Sequence, residues 1–342
     1  MKRVSSLYLR ALVQVLHTMS TPSSPPHPAN RTPVQILEVA EHHQDQRLDN
    51  YLLGRLKGTP KSLIYRIIRK GEVRVNGKRA KADYRVQAQD KVRVPPLQLA
   101  SPDEPLQPSA QLEALLRDSV LFEDPDLLVL NKPAGLPVHG GTGVKLGLIE
   151  ALKTLRPDVP GLELVHRLDK GTSGCLLLAK TGTARRALMN AFREHEVRKV
   201  YHALVCGRWP AQVREVDSPL ARQPERGGER MVEVDPEGKE ARTSFRVLER
   251  FADFTLVEAQ PLTGRTHQIR VHAAEVGCPL VGDEKYNERE VAVSWPKGAR
   301  PRLCLHAAAV EFAHPRTGKR LRFSAPLESS FKALVDQLRS AD

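Results

Sequence analysis

Two stretches in the first third of the chain repeat apolar residues every three or four positions. In RLDNYLLGRLKG, residues 47–58, Leu48, Tyr51, Leu52 and Leu56 fall on one helical face. In PKSLIYRIIRKGE, residues 60–72, Leu63, Ile64, Ile67 and Ile68 do the same, with Arg66, Arg69 and Lys70 pointing elsewhere. Gly71 stops the second helix, and VRVNGKR reads as a strand running into an Asn76-Gly77 turn. DKVRVPP supplies a last strand before prolines, and the Pro-rich stretch from Pro95 to Gln111 marks a boundary. Beyond it lie many short apolar runs separated by turn signals: SVLFED, LLVLN, LELVHRL, CLLLAK, VYHALVCG, TSFRVLERF, FTLVEAQ, LCLHAAAVEF and RLRFSAP. Two helices interrupt them. TARRALMNAFREHEV carries Ala184, Ala187, Leu188, Ala191 and Phe192 on one face, and THQIRVHAAEVG starts near Thr266 and stops at Gly277. Many strands with few helices predict an α+β domain on a mostly antiparallel mixed sheet.

Charge changes the picture of the first segment. The 342-residue chain has a formal net charge of +13. Residues 47–94 hold fourteen Lys and Arg against four Asp and Glu, a net +10. A polyanion, nucleic acid first, is the expected partner, held mainly through its phosphates by side chains such as Lys61, Arg66, Arg69, Lys70, Arg74, Lys78 and Arg79. The cysteines Cys175, Cys206, Cys278 and Cys304 are far apart and form no CxxC pair, which fits reduced thiols in a cytoplasmic protein. No apolar run reaches the roughly 18 residues of a membrane span. Residues 1–35, ending in a Pro/Ser-rich stretch, are expected to be a disordered extension, with Met19 the expected start of translation.

VHRLDKGTSG, Val165 to Gly174, places one carboxylate among cations. His166, Arg167 and Lys170 favour the ionised form of Asp169, as a nucleophile or base requires. On local physics an ion-paired turn acid explains the stretch as well. Thr172 and Ser173 can bond the loop, and Gly174 allows a conformation or close approach that a side chain would block. His267, His272, Cys278 and the Cys304-Leu305-His306 run invite thoughts of zinc, but the histidines are five residues apart, which fits neither a helical i, i+4 pair nor a finger, so no metal is expected. The full phosphate-binding pattern GxxxxGK[ST] is absent.

HRLDKGTSG, together with LNKPAGLPVHGG before it and RKVYHALVCG and LTGRTHQIRVHAAEVGCPLVGDEKY after it, resembles the signature set of the RluA-type pseudouridine synthase family, in the family's order and spacing. Residues 47–94 are similar to the S4-type RNA-binding domain that several members carry, most of all in the RluC-type branch acting on large-subunit ribosomal RNA. The resemblance implies a pseudouridine synthase fold at 114–342, a small α/β S4-like domain at 36–96 and a linker at 97–113. It implies that Asp169 is the catalytic aspartate, that Tyr201 packs on the target uracil and that Arg270 pairs with the aspartate, where a planar guanidinium could bind both carboxylate oxygens. Arg167 would hold RNA or the space left by the flipped base, and Ile269 would touch the ring from below. Without the motifs, Tyr201 reads as core and Arg270 as a solvated surface cation. The implied reaction breaks the N-glycosidic bond of a flipped-out uridine, turns the base and rejoins it through carbon at several sites in 23S ribosomal RNA. It needs no cofactor, and a monomer suffices. The remaining alternatives are a non-catalytic S4-type RNA-binding or ribosome-assembly protein, and a synthase acting on transfer RNA.

Overall fold

The apolar face of residues 47–72 closes a small core. The computed structural model describes residues 33–56, 59–97, 107–140, 146–223, 231–287 and 301–341, so the expected disorder before Met19 and after it, up to residue 32, lies outside the described residues. The N-terminal unit contains β1 (Gln35–Glu38), α1 (Leu48–Arg55), α2 (Lys61–Arg69), β2 (Arg74–Val75), β3 (Lys78–Arg79) and β4 (Lys91–Val94). Its antiparallel sheet has the order β1-β4-β2-β3. Leu48, Tyr51, Leu52, Leu56, Ile64, Ile67 and Ile68 are buried together, as their spacing requires. Strand β1 was not foreseen; its alternating exposure leaves Ile36 on the solvent side, so its sequence lacks a clean apolar pattern. Leu97, the first residue of the expected linker, is buried in this core.

The larger unit opens with α3 (Ala110–Asp118), β5 (Val120–Glu123) and β6 (Leu127–Lys132). Then come α4 (Leu148–Leu155), β7 (Glu163–Leu164), β8 (Ser173–Ala179), α5 (Gly182–Arg193), β9 (Arg198–Cys206), β10 (Glu215–Asp217), β11 (Leu220–Arg222) and β12 (Val232–Val234). It ends with β13 (Arg242–Arg250), β14 (Phe254–Pro261), α6 (Gln268–Glu275), β15 (Leu305–Ala313), β16 (Arg320–Ser324) and α7 (Ser329–Arg339). The main sheet follows β10-β13-β14-β9-β15-β8-β6-β5, with β16 beside β15 and β7 beside β8. Only the β15–β8 contact is parallel among its described pairings, which gives the expected mixed, mostly antiparallel sheet.

Three local expectations change. Helix α3 begins inside the expected linker, because Ser109 accepts the Leu112 N–H as its cap and Leu112 and Leu116 are buried. α6 starts at Gln268 rather than near Thr266, since His267 adopts φ +55° and breaks the helical run. The run LELVHRL is a strand only at Glu163–Leu164. Beyond it the chain leaves the ladder, and the His166 Nε2 accepts the Leu177 N–H in place of a backbone carbonyl. The connection to β8 is therefore long, and it carries Asp169 to the start of the strand that lies between β15 and β6.

The junction of β8 and β15 explains Gly174. Its φ is +107°, and a Cβ there would lie 2.2 Å from the Ala307 carbonyl oxygen on the neighbouring strand. Both the backbone conformation and the approach exclude a side chain. Gly174→Ala is expected to cost about 2–4 kcal/mol in stability, read by denaturant unfolding. An unchanged midpoint would mean that the strands part without cost.

Candidate active site

The loop presenting Asp169 is pinned from both sides of β8. On the β6 side, the Lys170 carbonyl accepts the Gly135 N–H at 2.8 Å and the Lys132 ammonium at 3.3 Å. Lys132 is fully buried and also donates to the Pro133 and Leu136 carbonyls, both at 2.8 Å. Burial pulls its pKa down to about 7. On the β15 side, Arg302 donates to the Gly171 carbonyl at 3.4 Å and to the Ser173 hydroxyl at 3.1 Å, and is itself paired with Glu328 at 2.7 Å. Ser173 also contacts His306 Nδ1 at 2.9 Å. Within the loop, the Thr172 N–H donates to the Asp169 carbonyl. Thr172 and Ser173 are thus buried parts of the loop's frame.

Asp169, Arg167, Tyr201, Ile269 and Arg270 line one cavity of about 590 Å³, which falls in the range of small-molecule sites. β9 supplies Tyr201, and α6 supplies Ile269 and Arg270. Arg167 is exposed at the edge, while Ile269 is buried in the core beneath. Burial, reinforced by Asp169, raises the Tyr201 pKa, so its ring is presented with a neutral hydroxyl. Lys199, two residues before Tyr201, lines the same cavity and donates to the Thr263 carbonyl at 2.9 Å. Burial lowers its pKa to about 8.

Arg270 is not the surface residue that its helix position suggested: it is 6% exposed. Nor does it grip Asp169 with its fork. Its Nε and Nη2 donate to the two oxygens of Asp283, both at 2.7 Å, and Nη1 reaches Asp169 Oδ2 at 3.4 Å. The bidentate pairing expected for Asp169 is made by Asp283, whose side chain is completely buried. The catalytic candidate receives one N–H and keeps its remaining lone pairs.

His267 stands with Nε2 3.8 Å from Asp169 Oδ2, and its Nδ1 is 2.7 Å from the Tyr286 hydroxyl. His272 instead contacts the Thr243 hydroxyl and the Ser218 carbonyl. Asp283, Tyr286, Lys199 and His267 received no site role from the sequence. Asp283 and Tyr286 lie in GDEKY, Lys199 in KVY and His267 in THQIR, and these motifs are the signal that points to them.

In the N-terminal unit, Arg66, Arg69, Lys70, Lys78 and Arg79 are exposed and Arg74 is half-buried. The backbone of Lys61 opens α2, while its side chain lies outside the described parts. Lys70 and Arg74 line a shallow depression together with Arg93, a further cation beside those expected to meet RNA. Among the described residues, Asp124, Asp126 and His314 lie close enough to share a cation, but Arg316 already pairs with both oxygens of Asp126. No described helix is long and apolar enough to cross a membrane.

A lone carboxylate at the end of a mixed sheet, beside a buried Arg and a cavity-lining Tyr, defines a distinct class of site. Residues 126–275 match RNA pseudouridylate synthase, and residues 46–92 match the S4 domain. The chain belongs to the RNA pseudouridylate synthase family, enzymes that convert uridine to pseudouridine. It is 48% identical over 307 residues to the ribosomal large subunit pseudouridine synthase C of Pasteurella multocida strain Pm70, covering 90% of this chain and 94% of the relative. The protein of the same name from Escherichia coli strain K12 is 48% identical over 311 residues, covering 90% and 98%. Among solved structures, human RNA pseudouridylate synthase domain containing 4 superposes with a TM-score of 0.55 at 28% identity, over 67% of this chain and 96% of that one.

Proposed function

We propose that this chain isomerises several uridines of large-subunit ribosomal RNA to pseudouridine, with Asp169 as the catalytic group. The observation that carries this reading is the meeting of the Asp169 carboxylate, the Arg270 Nη1 at 3.4 Å and Tyr201 around one cavity of about 590 Å³. A uridine stacked in a helix cannot reach such a recess, so the base is flipped into it. Tyr201 then offers a face to the uracil and Ile269 an apolar floor, while Arg167 at the edge meets the RNA strand. Arg270 Nη1, 3.4 Å from Asp169 Oδ2, orients the carboxylate. The carboxylate labilises the bond between N1 of the base and the sugar; the base turns, C5 bonds to the anomeric carbon, the C5 proton leaves and N1 gains a proton.

The exposed cations of the N-terminal unit, Arg66, Arg69, Lys70, Lys78 and Arg79 with Arg74 and Lys61, supply phosphate affinity with little sequence reading. The relatives' large-subunit names support the choice of ribosomal RNA, and in this reading the enzyme acts in the cytoplasm, as a monomer and without a cofactor. Carbodiimide mapping of pseudouridine in total RNA from cells lacking the protein tests the reading. Several large-subunit positions should revert to uridine and be restored by the wild-type chain. Loss confined to transfer RNA would overturn the substrate, and loss nowhere would overturn the activity.

A further inference from the structure

Arg270 and His267 both face the Asp169 carboxylate, and one residue touches both. The Tyr286 ring lies under the Arg270 guanidinium, 5.0 Å from its centroid, and the Tyr286 hydroxyl is 2.7 Å from His267 Nδ1. The turn carrying Tyr286 is fixed by Asp283, whose Oδ1 accepts the N–H groups of Lys285 at 3.0 Å and Tyr286 at 3.3 Å. Asp283 and Tyr286 therefore form one support behind the site.

The direction of the hydroxyl proton follows from its other contact. The Tyr286 oxygen accepts the Val232 N–H at 3.1 Å. Its own proton then needs an acceptor, and among the described residues His267 Nδ1 is the one within hydrogen-bond reach. Burial lowers the His267 pKa and so favours the neutral ring, which carries a single N–H. With Nδ1 accepting, that N–H is on Nε2, the nitrogen 3.8 Å from Asp169. The backbone of His267 is held at φ +55°, and its side chain makes no helix-capping bond. A non-glycine residue kept there, with its ring facing the site, is a mark of functional constraint.

We propose that Tyr286 is a positioning residue of this active site: its hydroxyl fixes His267 in the Nε2–H tautomer, aimed at Asp169, while its ring seats Arg270. The inference rests on the reading of Asp169 as the catalytic group. The imidazole then presents a donor to the carboxylate and cannot remove a proton from it. The 3.8 Å separation shortens to a hydrogen bond when RNA closes the cavity, as catalytic contacts commonly do on substrate binding.

Tyr286→Phe keeps the ring and removes the hydroxyl; Tyr286→Leu removes both. Nitrogen-15 NMR of His267 in the full-length free protein should report the Nε2–H tautomer in the wild type and a mixture in Tyr286→Phe. Tritium release from a large-subunit ribosomal RNA transcript labelled at uridine C5 should fall about tenfold in kcat for Tyr286→Phe, with KM nearly unchanged, and further for Tyr286→Leu. An Nδ1–H tautomer in the wild type, or a Tyr286→Phe enzyme with wild-type kcat, overturns the proposal. A wild-type protein that releases no tritium counts against the large-subunit substrate instead, and the tautomer measurement then decides the role of Tyr286 on its own.

Discussion

Replacing Asp169 with asparagine is expected to cut tritium release from uridine-labelled RNA by at least about 10³-fold, because an amide is neutral and a poor nucleophile or base. The fold should survive. The loop is held by its backbone, through Lys132, Gly135 and Arg302, and Arg270 keeps its fork on Asp283 when the Asp169 charge is gone. RNA affinity in a filter-binding titration should therefore stay near the wild-type value while turnover is lost, so the loss lies in chemistry and not in binding. Wild-type pseudouridine formation by this variant would remove Asp169 from the mechanism and reopen the reading of an RNA-binding protein without catalysis.

The sequence carried Asp169 further than its partners. A charged motif in a loop is legible because its residues are adjacent, and motif order then links it to Tyr201 and Arg270. What Arg270 grips was not legible, because the fork closes on Asp283, thirteen residues away across the end of α6 and a turn. LELVHRL shows the limit of hydrophobic patterning. A loop that buries Leu168 and packs His166 against Phe192 has the same apolar pattern as a strand. Helix α4 has a readable period, with Leu148, Ile149, Ala151, Leu152 and Leu155 at i, i+1, i+3, i+4 and i+7 and Glu150 and Lys153 on the other face, but it is only two turns long and sits among strands. Helix α7 was open to view, with Phe331, Leu334, Val335 and Leu338 at i, i+3, i+4 and i+7, and went unread among the strands.

The division of labour around Arg270 has an energetic reason. A single carboxylate could not both neutralise a guanidinium that is 6% exposed and stay available to a substrate. Two carboxylates separate the tasks: Asp283 satisfies the charge and Asp169 receives only its fringe. A second acid near Asp169 need not mean a pair sharing acid and base roles, as in glycosidases, since the Asp283 side chain has no exposed surface and both of its oxygens are engaged.

Asp283→Ala should consequently be the most destabilising change near the site. It removes both fork bonds and the acceptor for the Lys285 and Tyr286 N–H groups, and it leaves a guanidinium buried with Asp169 as its remaining acid. Breaking a buried pair in this way costs about 3–5 kcal/mol, which lowers Tm by roughly 10 °C in a domain of this size. Activity should fall as well, because the freed Arg270 turns its fork onto Asp169 and occupies the lone pairs that the nucleotide needs. Replacing both partners by apolar residues, Arg270→Met with Asp283→Leu, separates the effects. The double variant should recover much of the lost Tm, since no unpaired charge is left behind, and should remain inactive because the guanidinium beside the Asp169 carboxylate is gone. Calorimetry of the three proteins reads the first half and tritium release the second. An Asp283→Ala protein that melts with the wild type would show that the Arg270 charge finds another partner, and that Asp283 does not hold the site together.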